Sequence, residues 1–221
     1  NEKELYFVTN QSGSPIEFSA VFRVTNASPY WWDPVTGVIR DLPDFKNDEG
    51  KTSIPFKLDT DQSGFVVFNK GVLKTDGSRR ENFKAADHLL TLTAPWEVNF
   101  VNSPLPGGPE KPVVFNQLIS WSDHPDERIK GFSGSAVYKT SFYLENTYPN
   151  ENILLNTGRI NGMAKIKVNG QETGTVWTAP WQLDVSKAIK KGSNIIEVEV
   201  VNTWTNRLLK DSKLNAKERL S

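Results

Sequence analysis

Residues 194–202 read NIIEVEVVN. Ile196, Val198 and Val200 fall on one side of an extended chain, Glu197 and Glu199 on the other. A period of two is the signature of a strand with one face in a core and one in water. The same beat runs through AVYKTSFYL (136–144): Ala136, Tyr138, Thr140, Phe142 and Leu144 alternate with Lys139, Ser141 and Tyr143. AKIKVNG (164–170) ends on Asn169-Gly170, the strongest short hairpin signal. Then WQLDVS puts Trp181, Leu183 and Val185 on one face, and Ser186 caps a turn, KAIKKG, stopped by Gly192. With LLTLTAPWEVNFV (89–101), VVFNQLISWSD (113–123) and NILLNTG (152–158), about eight strands fall in one compact stretch, which fits a jelly roll.

The first half gives shorter strands with turns between. ELYFVTN (4–10) and IEFSAVFRVTN (16–26) are separated by QSGSP. Asp33, Pro34 and Gly37 fit a type I turn with a glycine bulge, returning into VIRDL (38–42). TSIPFKLD (52–59) and GFVVFNK (64–70) follow. Helical periodicity is absent. The fold class is therefore all-β, in four segments: a small or partial β-sandwich over 1–71, a polar linker over 72–89 with a short helical turn at ENFKAADHL, a jelly-roll β-sandwich over 90–210, and a tail over 211–221.

Composition narrows the function. Lys plus Arg and Asp plus Glu are 26 each, a balance that leaves no electrostatic footprint for nucleic acid or an anionic membrane. No apolar run approaches the ~20 residues of a bilayer span. The absence of cysteine excludes disulfides and thiolate metal sites. NEKELYFVTN has no signal-peptide character, which leaves either a cytoplasmic protein or a mature or trimmed fragment, and a first strand that begins at Glu4 favours the fragment.

Catalytic motifs are scarce. His88 and His124 are not spaced as a ligand pair and read as loop histidines. GFSGS (131–135) has Ser135 where a nucleophile elbow needs glycine, and it precedes a strand rather than a helix. Asp123, Asp126 and Glu127 form an acidic loop whose default is solvation. No cofactor is called for. A structural calcium is the one ion that a jelly roll of this kind invites, held by loop carboxylates and carbonyls, though no loop here has a diagnostic pattern. Tryptophan is the remaining signal, because its ring stacks on a pyranose face and its N–H is a polar handle. Trp31, Trp32, Trp121, Trp177, Trp181 and Trp204 lie near strand ends or loops. Trp181 is in phase with core residues. Trp177 and Trp204 suit core and ligand equally, and Trp121, beside the acidic loop, suits core, a ligand or a neighbouring domain.

The second half resembles the sugar-binding domain of glycoside hydrolase family 2. The matching positions are Val168-Asn169-Gly170, Gly174, Ala179-Pro180-Trp181 where the family has Thr-Pro-Phe, Asp184-Val185-Ser186, and Gly192, Asn194 and Ile196. The whole chain is similar to the C-terminal region of the large α-L-rhamnosidases of glycoside hydrolase family 106, through YFVTNQ (6–11), WDPVTGVIRDLPDF (32–45), PWEVNF (95–100), FSGSAVYKTSF (132–142), GTVWTAPW (174–181) and VVNTWTNRLLKD (200–211).

The resemblance implies a galactose-binding-like jelly roll within a periplasmic or secreted glycosidase. Its catalytic carboxylates would lie in a barrel this sequence does not match, so no catalytic residue is carried over and none is assigned. The expected role is a non-catalytic accessory region, carbohydrate-binding or scaffold, with a carbohydrate or a catalytic domain of the same polypeptide as partner. A purely structural module and a self-contained glycosidase stay open. The candidate binding residues are Trp121, Asn161, Trp177, Trp204 and Arg207, the arginine suiting bidentate contacts to vicinal hydroxyls.

Overall fold

The computed structural model describes residues 3–71, 80–101, 103 and 106–220. The chain divides into two units, Asn1–Leu89 and Leu90–Ser221.

The first unit is a β-sandwich. Its strands are β1 (Lys3–Thr9), β2 (Ile16–Phe22), β3 (Ala27–Trp32), β4 (Ile39–Asp41), β5 (Lys46–Asp48), β6 (Lys51–Leu58) and β7 (Ser63–Lys70). One sheet has the order β1-β7-β3-β4 and the other β2-β6-β5, all antiparallel. Thr52, Ile54, Phe56 and Leu58 of β6 face inward and are buried, against exposed Lys51, Pro55 and Lys57. Pro55 is tolerated because the pairing of β5 with β6 stops at Ser53, which leaves its missing N–H on an open edge. Phe22, Trp31, Phe56 and Phe68 fill the centre. Gly64 is required there: a Cβ would come 2.1 Å from the Trp31 ring, which lies across β7. The turn expected at Asp33 is present, with Oδ1 accepting from Val35 N–H at 2.8 Å and Gly37 at φ 72°.

Residues 80–89 carry no helical turn, contrary to the sequence expectation. Their apolar member is used for packing instead. Phe83 meets Trp31 edge-on at 5.6 Å and Phe56 at 5.4 Å, under the Arg40 guanidinium at 4.7 Å. Buried Asn82 exchanges two hydrogen bonds with the Asp44 backbone, at 2.6 and 2.9 Å. This part of the expected linker thus completes the first core. Residues 72–79 lie outside the described residues.

The second unit is built on a six-stranded antiparallel sheet, β13-β12-β15-β10-β8-β9, and a two-stranded one, β11-β14. The strands are β8 (Trp96–Val101), β9 (Val113–Phe115), β10 (Ser135–Leu144), β11 (Leu154–Asn156), β12 (Met163–Val168), β13 (Gln171–Val176), β14 (Gln182–Asp184) and β15 (Gly192–Val201). The alternation in β10, β12 and β15 is realised: Ala136, Tyr138, Ala164, Ile166, Val168 and Ile196 share one buried cluster with Trp96, Val98 and Phe100 of β8. Opposite that sheet, Leu155, Leu183, Val185 and Ala188 cover it at one end. A 3-10 turn (Trp121–Asp123) and the one-turn helix α1 (Glu127–Lys130) contribute Trp121 and Ile129 to the same cluster. The Asn169-Gly170 turn has φ of 52° and 81° and joins β12 to β13 as expected.

The tail is part of this unit. Helix α2 (Thr205–Asp211) buries Arg207 and Asp211, and Leu220 N–H donates to Asp211 Oδ2 at 3.0 Å.

Candidate functional site

Strand register gathers three of the five candidates. Strand β12 pairs with β13 at Ala164↔Val176 and with β15 at Met163↔Val201. Asn161 leads into β12, Trp177 follows β13, and Trp204 follows β15, so all three leave the sheet at the same end. Trp177 is 55% exposed and Trp204 46%, and Asn161, before β12, is exposed too.

The backbone at this rim is tightly specified. Gly162, at φ 140°, lies so close to β15 that a Cβ would fall 2.1 Å from the Val201 carbonyl oxygen, so no other residue fits beside Asn161. Asn202 joins the exit of β15 to the entry of β10: its Nδ2 donates to Phe132 O at 2.9 Å and its Oδ1 accepts from Gly134 N–H at 2.9 Å. Ser133 Oγ donates to Thr203 O at 3.2 Å. These bonds fix the direction in which the chain leaves toward Trp204.

After Trp177 comes a sharp corner. The Ala179–Pro180 peptide is cis, and Trp181 has φ 59°. The left-handed region costs an L-residue roughly 1–2 kcal/mol. Here the loop containing Thr157 holds it: the Thr157 N–H and hydroxyl both donate to Trp181 O, at 3.0 and 3.1 Å. Trp181 is only half-buried and lies outside the main cluster. The two-residue phase with Leu183 breaks at this corner, so the expectation that Trp181 is core is corrected.

Two further candidates change character. Trp121 is 7% exposed and sits edge-on to Phe100 and Phe132, its indole N–H donating to the Tyr138 hydroxyl. Its ring has no open face for a sugar, so it is corrected to a core residue. Burial pushes the Tyr138 hydroxyl pKa up, against a smaller opposing effect of that bond. Arg207 is buried and paired with Asp211, Nε to Oδ1 at 3.1 Å, one turn on. Arg207 lines a small recess with Ser103, Gly131, Phe132 and Ser133.

The acidic loop is structural. Asp126 caps α1 through Arg128 N–H at 2.9 Å and grips the Arg128 guanidinium at 2.6–3.2 Å. That pairing, then the backbone bond, hold its pKa down at about 2. Glu127 pairs with Lys130 at 2.7 Å, which lowers its pKa too. His124 Nδ1 accepts from Asp126 N–H at 3.0 Å, its ring against Phe115 at 4.9 Å. Among the described residues no three His, Cys, Asp or Glu side chains gather as a metal cluster.

Sequence reasoning did not find Asn202, whose side chain organises the rim. A lone asparagine after a strand carries no signal until its two backbone partners are known.

Known proteins share this architecture. Residues 124–219 match the family model described as glycosyl hydrolase 2 galactose-binding domain-like. A putative β-glucuronidase of Formosa agariphila is 36% identical over 133 residues, 59% of this chain and 11% of that protein. The structure of a rhamnosidase from Novosphingobium sp. PP1Y superposes with a TM-score of 0.77 at 33% identity, over 96% of this chain and 20% of that one. The chain thus spans a fifth or less of the proteins it resembles.

Proposed function

Taking residues 124–219 as a glycosyl hydrolase 2-type galactose-binding-like domain, we propose that the chain is a non-catalytic, glycan-binding accessory region of a glycoside hydrolase acting on complex glycans, a rhamnosidase among the options. The observation that carries this is the pair of exposed tryptophans, Trp177 and Trp204, leaving the sheet end at which Asn161 enters β12. Indole faces of this kind stack on the apolar face of a pyranose, and an amide can hydrogen-bond its hydroxyls. Periplasmic or secreted location accompanies this reading.

Calorimetric titration with a panel of plant and host oligosaccharides tests it. Binding is expected, and Trp177→Ala or Trp204→Ala should weaken it at least tenfold, while Trp121→Phe leaves it intact in folded protein. Binding that neither rim substitution weakens would remove the site. A scaffold role is the second reading, favoured by the apolar sheet face described next. Hydrolysis of aryl glycosides by the chain alone, abolished by a single carboxylate-to-amide change, would replace both.

A further inference from the structure

The outer face of the four-stranded sheet in the first unit is apolar. Pairing places Phe7, Phe65, Trp32 and Ile39 in one row across β1, β7, β3 and β4, and Leu5, Val67, Tyr30 and Asp41 in the next. Phe7 and Phe65 touch, with centroids 5.3 Å apart. Leu5, Phe7 and Ile39 are each more than half exposed. Lys3 reaches over this face, its ammonium 5.1 Å from the Trp32 ring. The strands behind it are consecutive apolar runs, LYFV (5–8), FVVF (65–68) and YWW (30–32). Tyr6, Val8, Trp31, Val66 and Phe68 fill the sandwich core, so the remaining members of each run are surplus to it. A sheet apolar on both faces belongs between two layers.

We propose that this face is covered by another folded domain of the same polypeptide, presenting an apolar surface of its own. The inference deepens the scaffold reading. Size favours a tethered occupant. Four strands at ~4.8 Å and the two apolar rows at ~7 Å make roughly 270 Å² per side. That is about a third of the ~800 Å² per partner of a stable free complex, too little for a free partner and suited to a tethered one. Linkage raises the effective concentration to about the millimolar range and lets so small a face suffice. The rhamnosidase that matches 96% of this chain devotes four-fifths of its own length to other sequence, ample for such a domain.

Residues 1–221 contain no cysteine, so a single introduced thiol reports cleanly there, and in the encoded protein labelling is read on the peptide that carries the introduced residue. Phe7→Cys and Ile39→Cys, with Tyr143→Cys on the second unit as reference, are made both in residues 1–221 and in the protein as its gene encodes it, with any flanking sequence kept. Maleimide labelling at 7 and 39 is expected to be fast in the 221-residue chain and at least tenfold slower in the encoded protein, with position 143 equal in both. Equal rates at 7 and 39 in the two would overturn the proposal. So would protection of the 221-residue chain that disappears on dilution, which means a second copy, or protection that needs added oligosaccharide, which means a glycan platform. The glycan titration on Trp177 and Trp204 reads a different unit, so either result can fail alone. Circular dichroism verifies that each variant is folded.

Discussion

The two main sheets of this molecule present opposite outer faces. In the second unit, one row across five strands reads Glu97, Lys139, Glu197, Lys167 and Glu172, alternating in sign at every step. Lys139 bridges Glu197 at 3.1 Å, and Lys165 bridges Glu172 at 2.7 Å. Opposite charges across a ladder are mildly favourable, and they blunt unwanted association. In the first unit the corresponding face carries rings and aliphatic groups. The same backbone rule therefore serves two surfaces, one with a charged ladder set among apolar neighbours such as Met163 and Ile195, the other with two adjoining rows of mainly apolar side chains.

The sharpest way to break this contrast is on a single strand. Phe68, on the core side of β7, is fully buried against Tyr6 and Phe22. Phe68→Ala should cost about 3–5 kcal/mol in urea unfolding of the isolated chain, and Phe65→Ala, on the outer side, no more than ~1. Equal costs would mean that the outer face is already a packed core.

Charge burial comes next. Asp211→Ala strands Arg207 inside the second unit and should destabilise α2 by up to about 3–5 kcal/mol, with the loss capped by release of the helix. Hydrogen exchange of residues 205–211 would show it as faster exchange confined to that segment. Arg207→Met with Asp211→Leu should recover most of the protection.

The exposed ladder should be far weaker. A double-mutant cycle on Lys139→Ala and Glu197→Ala is expected to return ~0.2–1 kcal/mol, falling as salt is raised. A coupling above that range would make the charged face a source of stability rather than a solvated coat.

The smallest effect is acid titration of Asp126. Its pKa falls from 3.8 to about 2 on folding, so the contribution of this group is complete above pH ~4 and fades as pH drops toward 2. Asp126→Asn should flatten the stability profile in that window alone.

Much of the second unit was legible because its strands alternate. Tyr138, Ile166 and Ile196 declare their face by position, and Asn169-Gly170 declares the hairpin. The all-β class and the two sandwiches followed from such signals. The first unit was harder to read in one respect: LYFV has no polar beat, so its two faces separate only once Phe7 is known to pair with Phe65 and Tyr6 to pack on Phe22. Phe83 looked like linker because one aromatic in a polar stretch has no period. Trp121 looked available because it adjoins charged residues, yet a 3-10 turn swings it inward. Arg207 and Asp211 are one helical turn apart, a spacing that raises the ion pair as an option but says nothing of burial.

The joints of the second unit depend on amides. Asn169 donates to Ala188 O and to Asn194 Oδ1, Asn194 accepts from Lys190 N–H and donates to Lys190 O, and Asn202 spans two strands. A carboxamide has no proton to gain or lose across the biological range. The hairpin joints therefore carry no charge to screen, whereas the C-terminal helix closes on a charged pair, Arg207 against Asp211.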